Sequence, residues 1–230
     1  MFWNINEIKF KDLLIPISIL LGSVFIAVSI GFSAGKLSFG GGEEKVENES
    51  ATQTIKVNAR KDAPTMGKGK VELFIFSDFQ CPYSKKFTQE TFEKIKTNYV
   101  DTDKIKIIFR HFPLPGHTNA QKSAEAGECA NKQGQFWPYH DLLFKNGNGD
   151  GTGLAVSDLK KYAEELGLNM AQFNSCLDSG STSKVVSADF KDGQNVGVNG
   201  TPVFIINGQK LVGAQSYEAF KTVIDEALKK

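Results

Sequence analysis

Cysteine and histidine are both scarce in this 230-residue chain, with three of each. The cysteines (Cys81, Cys129, Cys176) and the histidines (His111, His117, His140) form no close Cys/His cluster. Zinc sites draw their ligands from short paired spacings, so no metal is expected, and no other cofactor either. A surplus of one charge is missing too. Lysine plus arginine number 27 and aspartate plus glutamate 26, a formal charge of +1, with no basic block or basic helix face. Nucleic acid is therefore not an expected partner. No internal repeat is visible. Any chemistry has to come from the chain's own side chains.

What is present divides the chain in two. Leu13 to Gly35, LLIPISILLGSVFIAVSIGFSAG, carries no charged residue. That run matches the roughly 20 apolar residues that cross a bilayer as a helix. Pro16 lies near its start, where proline is tolerated. The expectation is an uncleaved anchor over residues 13–35 after a short segment, 1–12. A cleaved signal peptide is the alternative, although Ser33 and Gly35 make a poor cleavage site; a buried soluble helix is a third. Lys9 and Lys11 precede the run and Lys36 follows it. The positive-inside rule then puts the large domain outside the cytoplasm, by a margin of one lysine. Residues 36–54, rich in Gly, Glu, Ser and Thr, read as a flexible linker.

The remainder alternates strands and helices around 18 phenylalanines, enough for a bulky core. A first part, 55–111, opens with a short edge strand at 55–58. Val71, Leu73, Ile75, Phe76 and Phe79 make the stretch from Lys70 to Phe79 an almost continuous apolar strand, as expected when both sheet faces are covered. Pro82 suits the first turn of a helix running to about Tyr99. Lys104 to Phe109 is the next strand. Residues 112–184 read as a helical insertion: Thr118 to Asn131, Phe136 to Phe144, the loop GNGDGTG from Gly147 to Gly153, a helix capped by Ser157 and ended by Gly167, and another capped by Asn169. A further helix spans Ser181 to Val196. In the second part, 185–230, Pro202 to Ile206 and Lys210 to Val212 flank Asn207-Gly208, a hairpin signal. A helix from Tyr217 to Leu228 closes the chain. The fold class is α/β, a small mixed sheet interrupted by helices.

Cys81 begins the segment Cys81-Pro82-Tyr83-Ser84, between the strongest strand and its helix. A thiol there faces unpaired backbone N–H groups and the favourable end of the helix dipole, which stabilise thiolate and lower the pKa. Tyr83 is expected to be exposed beside the sulfur. Ser84 lies one turn on, where its hydroxyl has the reach to donate a hydrogen bond to the thiolate. The plainer alternative makes Cys81 a small core residue and Ser84 an exposed first-turn residue. Cys129 and Cys176 pair as a structural disulfide in an oxidising compartment and stay free thiols in a reducing one. Pairing them leaves Cys81 as the odd thiol. His111 and His117 flank FPLPG and would reach the sulfur only if that turn folds over it. His140 reads as a structural helix residue. Thr201-Pro202, just before an apolar strand, is a candidate cis bond, although spacing alone favours trans.

FIFSDFQCPYS, FRHFPLPGH, AGECANKQGQFWPYHDLLF and GVNGTPVFIINGQ together resemble the DsbA-like thiol–disulfide oxidoreductases of the thioredoxin superfamily, in particular the membrane-anchored bacterial members. The resemblance runs from about Ala63 to Lys229. It implies a thioredoxin-like mixed sheet with an inserted helical domain, a soluble domain outside the bacterial cell membrane, and cysteine-containing polypeptides as substrates. It implies Cys81 as nucleophile and Thr201-Pro202 as the cis-proline loop, with the Thr201 backbone, Pro82 and Tyr83 meeting the substrate. It also implies that Cys129 and Cys176 form the extra disulfide of some members. Ser84 departs from the pattern: it stands where the resolving cysteine belongs. Disulfide exchange started at Cys81 then needs an external or substrate thiol, or a redox partner protein, to finish it. The alternatives are a trapping variant of a dithiol oxidase and a peptide-binding module without catalysis.

Overall fold

The computed structural model describes residues 54–230. The expected anchor over 13–35 and the linker up to residue 53 lie outside them. Among the described residues no helix is long and apolar enough to cross a membrane.

Five strands form one sheet in the order β1-β3-β2-β4-β5: β1 Thr65–Met66, β2 Val71–Ser77, β3 Ile105–His111, β4 Val203–Ile206 and β5 Gln209–Val212. The pair β2/β3 is parallel and the other three pairings are antiparallel. The edge strand expected at 55–58 is not one. That segment is extended but unpaired as a strand, and the antiparallel edge is β1 instead. Two residues suffice there because Pro64, with no N–H of its own, still accepts the Phe109 N–H at 2.9 Å. Asn207 and Gly208 both take positive φ, 46° and 84°, as a two-residue hairpin turn requires.

From Cys81 the chain runs helically to Val100 as α1 Pro82–Phe87, a π turn Thr88–Phe92, α2 Glu93–Ile95 and a second π turn Lys96–Val100. The insertion follows β3 as α3 Ala120–Asn131, α4 Phe136–Asn146, α5 Val156–Glu165 and α6 Met170–Asp178. Next come α7 Ser183–Asn195 and, after the hairpin, α8 Tyr217–Ala227. Asn169 caps α6 through the Gln172 N–H, as expected. Ser157 does not cap α5. Its N-cap is Ala155, whose N–H is taken by the Asp158 carboxylate, so the acid three residues along replaces the hydroxyl.

Strand alternation sends side chains to two cores. Leu73, Ile75, Ile107, Phe109, Phe204 and Ile206 pack with α8, the helices after Cys81 and the insertion. Phe74, Phe76, Ile108, Val203 and Ile205 pack with Phe112 and, from the α7 region, Phe190 and Val198. Gly193 lets α7 approach closely, since a Cβ there would lie 2.6 Å from the Phe112 ring. Cys129 on α3 and Cys176 on α6 are joined by a disulfide.

A buried ionic cluster ties these parts together. Asp189 of α7 accepts from Arg110 Nε at 2.7 Å and from the His111 N–H at 3.1 Å. Arg60 reaches Asp189 and, at 2.6 Å, Glu128 of α3, which also meets His111 Nε2 at 3.0 Å. Arg110 also pairs with Asp192. His111, Glu128 and Asp189 are close enough to share an ion, but two guanidiniums already neutralise the carboxylates. Burial alone would raise the Glu128 carboxyl. The hydrogen bond and charge of His111, and then those of Arg60, outweigh it and bring the pKa down to about 2. A depressed carboxylate stabilises the fold above its unfolded pKa and loses that contribution as pH falls. Urea unfolding of the wild type should therefore show stability dropping between about pH 4.5 and pH 2, and Glu128→Gln should flatten that limb. Arg60→Ala should cost about 3 kcal/mol at pH 7 by leaving buried carboxylates uncompensated.

Candidate active site

Strand β2 ends at Ser77 and a tight turn delivers Cys81 to the start of α1. The Cys81 N–H bonds the Asp78 carbonyl at 3.1 Å, closing the turn. Cys81 itself is the N-cap in extended conformation, with Pro82 as the first helical residue, as its missing N–H favours. Cys81 is 3% exposed. Its thiol donates to the Thr201 carbonyl at 3.2 Å.

The Thr201-Pro202 peptide bond is cis. The Pro202 carbonyl accepts the Gly213 N–H at 2.8 Å, which fastens this loop to the end of β5. Sequence positions 120 apart thus meet at one sulfur. Tyr83 is 64% exposed beside it, as expected. Ser84 is fully buried rather than exposed, and the hydrogen bond expected from it to Cys81 is not made. Its Oγ has no protein partner.

Neither histidine of the FPLPG stretch hydrogen-bonds the sulfur. His111 belongs to the ionic cluster. His117 Nδ1 meets Asp78 Oδ2 at 2.6 Å. His140 is buried among Phe79, Phe109, Phe136 and Phe144. Burial lowers its pKa, against the pull of Asp141.

The residues that hold the turn were not legible from the sequence. The Asp78 carboxylate accepts the Gln80 N–H at 2.8 Å and the Leu114 N–H at 2.9 Å, besides His117. Burial raises its pKa above the usual carboxylate range, and the donors from Leu114, Gln80 and His117 work against that shift. Gln80, also buried, accepts the Asn119 N–H at 2.8 Å and donates to the Gly149 carbonyl at 3.3 Å. Asp78 and Gln80 do stand in FSDFQC, but their partners outside the turn lie 36 to 69 residues away, and no periodicity reports such a distance.

A thioredoxin family model, described simply as Thioredoxin, matches residues 62–226. Over 217 residues the chain is 30% identical to a probable disulfide bond formation protein D of Bacillus cereus, covering 91% of this chain and 96% of that one. The chain is a DsbA-like member of the thioredoxin family. As a solved structure, oxidised BdbD from Bacillus subtilis shares the thioredoxin fold, with a TM-score of 0.70 at 23% identity over 76% of this chain and 97% of that one. The same family domain occurs in much longer proteins. The Na(+)/H(+) antiporter NhaA 3 of Salinispora tropica is 33% identical over 153 residues, 66% of this chain, and the chain spans only 22% of that antiporter's length.

Because Asp78 answers three donors around the turn, Asp78→Ala should destabilise the domain by on the order of 3 kcal/mol in urea unfolding, and Asp78→Asn by less. The freed turn should also raise the rate at which iodoacetamide alkylates Cys81. An unchanged alkylation rate in Asp78→Ala would show that the turn is held by other contacts.

Proposed function

We propose that this domain carries out thiol–disulfide exchange on polypeptides outside the cytoplasm, with Cys81 as the nucleophile. The observation that carries the reading is the sulfur at a helix start against the cis-proline loop, 3.2 Å from the Thr201 carbonyl. The Cys81 thiolate attacks one sulfur of a substrate disulfide. A Cys81–substrate disulfide forms, the substrate S–S bond breaks, and the other substrate sulfur leaves as thiolate. Pro82, Tyr83 and the Thr201-Pro202 loop meet the client chain, and the Thr201 carbonyl becomes available to it once the thiol proton is gone.

Ser84 has no sulfur with which to displace the client. Release therefore requires a second thiol, from the client, a small molecule or a redox partner, which takes up the client sulfur and returns Cys81 as thiolate. The Cys129–Cys176 disulfide supports an oxidising compartment, and the uncharged run at 13–35 supports a single-pass anchor in a bacterial membrane.

The near-complete burial of Cys81 favours one other reading, a peptide-binding module that forms no covalent link. Two variants separate them. Cys81→Ala should abolish client capture in a pull-down under native conditions; undiminished native capture, with no wild-type adduct on a non-reducing gel, would establish the binding module. With oxidised glutathione supplied as terminal oxidant, Ser84→Cys should convert a protein that accumulates adducts into one that oxidises a reduced two-cysteine peptide with turnover. Equal turnover before and after would mean that Cys129 or Cys176 resolves the adduct.

A further inference from the structure

The loop Gly147–Gly153 lies far from Cys81 in sequence but is fastened to both of its neighbours. Gln80, just before the nucleophile, donates to the Gly149 carbonyl. Pro82, just after it, packs so close to Gly149 that a Cβ there would meet the proline ring at 3.3–3.4 Å. One turn further on, the Lys85 ammonium donates to the Gly147 carbonyl at 2.7 Å and to Asn148 Oδ1 at 3.1 Å. From the start of α3, Asn119 Nδ2 donates to the Gly151 carbonyl at 2.9 Å. A Cβ on Gly151, whose φ is +88°, would lie 2.9 Å from that Nδ2 and 3.2 Å from Gln80 Nε2.

These contacts give the glycines a common reason. At 149 a Cβ would crowd the Pro82 ring by a few tenths of an ångström, and at 151 the positive φ and the 2.9 Å approach to Asn119 Nδ2 favour glycine. A loop that merely connected α4 to α5 over the surface would need no such approach, and would not draw in the donors of Gln80, Lys85 and Asn119.

We propose that Gly147–Gly153 is a second wall of the Cys81 site, beside the Thr201-Pro202 loop, and that it selects disulfide-bonded polypeptides over small disulfides. Gln80 is its positioning residue: one side-chain amide ties the loop and the start of α3 to the turn that carries the nucleophile. A small disulfide reaches the sulfur without crossing the wall. A polypeptide lays the residues flanking its cysteine along it, and misplacing such a surface by a fraction of an ångström slows the oriented attack. The inference rests on the exchange chemistry proposed above and adds to it the element that discriminates polypeptides from small disulfides.

The experiment compares Cys81 adduct formation with two probes, 5,5′-dithiobis(2-nitrobenzoate) and a disulfide-bonded ten-residue peptide. Gly149→Ala needs no strained backbone and pushes the loop off Pro82 by only a few tenths of an ångström. Gln80→Glu keeps the acceptor for Asn119 and loses the donor to Gly149. Gly116→Ala is the control, since a Cβ there meets nothing within 4 Å. Gly149→Ala and Gln80→Glu should slow the peptide about tenfold, leave the small aromatic disulfide within about twofold, and raise the peptide concentration at half-maximal rate. Gly116→Ala should change neither. Unchanged peptide rates would overturn the wall. So would equal slowing of both probes together with a lowered melting temperature, which marks a purely structural loop. A wild-type protein that forms an adduct with neither probe would instead remove the exchange reading, and this inference with it.

Discussion

The turn from Asp78 to Cys81 is the constraint on which the site depends. It must stop a strand of the parallel pair, reverse into a helix within four residues and leave a sulfur at the junction. Backbone alone closes it with one hydrogen bond, Cys81 N–H to the Asp78 carbonyl. The Asp78 side chain does the rest by gathering N–H groups from its own turn and from the segment after β3, together with His117. A buried carboxylate is costly to desolvate, and three donors are what make it tolerable. The same arrangement makes the nucleophile's position a property of two chain segments that meet only in the folded protein.

Much of this was legible in the sequence. The apolar run of β2, Pro82 at a helix start and Asn207-Gly208 in the hairpin are short-range signals, and short-range physics decides them. The cis bond at Thr201-Pro202 and the pairing of Cys129 with Cys176 were legible through the family resemblance; spacing alone favoured trans at the first and left two options at the second. The misreadings also have physical causes. At 55–58 a strand was expected, but the sheet edge is filled by Thr65–Met66. Ser157 had capping chemistry, yet the Asp158 carboxylate takes the Ala155 N–H. Ser84 seemed placed to serve the sulfur because helical spacing gives a shared face and not the direction in which a side chain points.

Cys81 sits where several long-range devices converge. The ionic cluster of Arg60, Arg110, Glu128 and Asp189 joins the segment before β1 to β3, α3 and α7. The disulfide joins α3 to α6. Both act on α3, whose first residues receive the Gln80 side chain. The insertion is thereby braced against the sheet on one side and against the turn that carries Cys81 on the other.

Ser84 is buried with no protein group to receive its hydroxyl. A sulfhydryl is a weaker hydrogen-bonding group than a hydroxyl and is more at home in such a place. Solvation and redox chemistry therefore favour the same element at position 84, and the present chain stands one atom away from a complete two-electron couple. In the exchange proposed above, position 84 separates a protein that captures from one that cycles by composition and not by conformation.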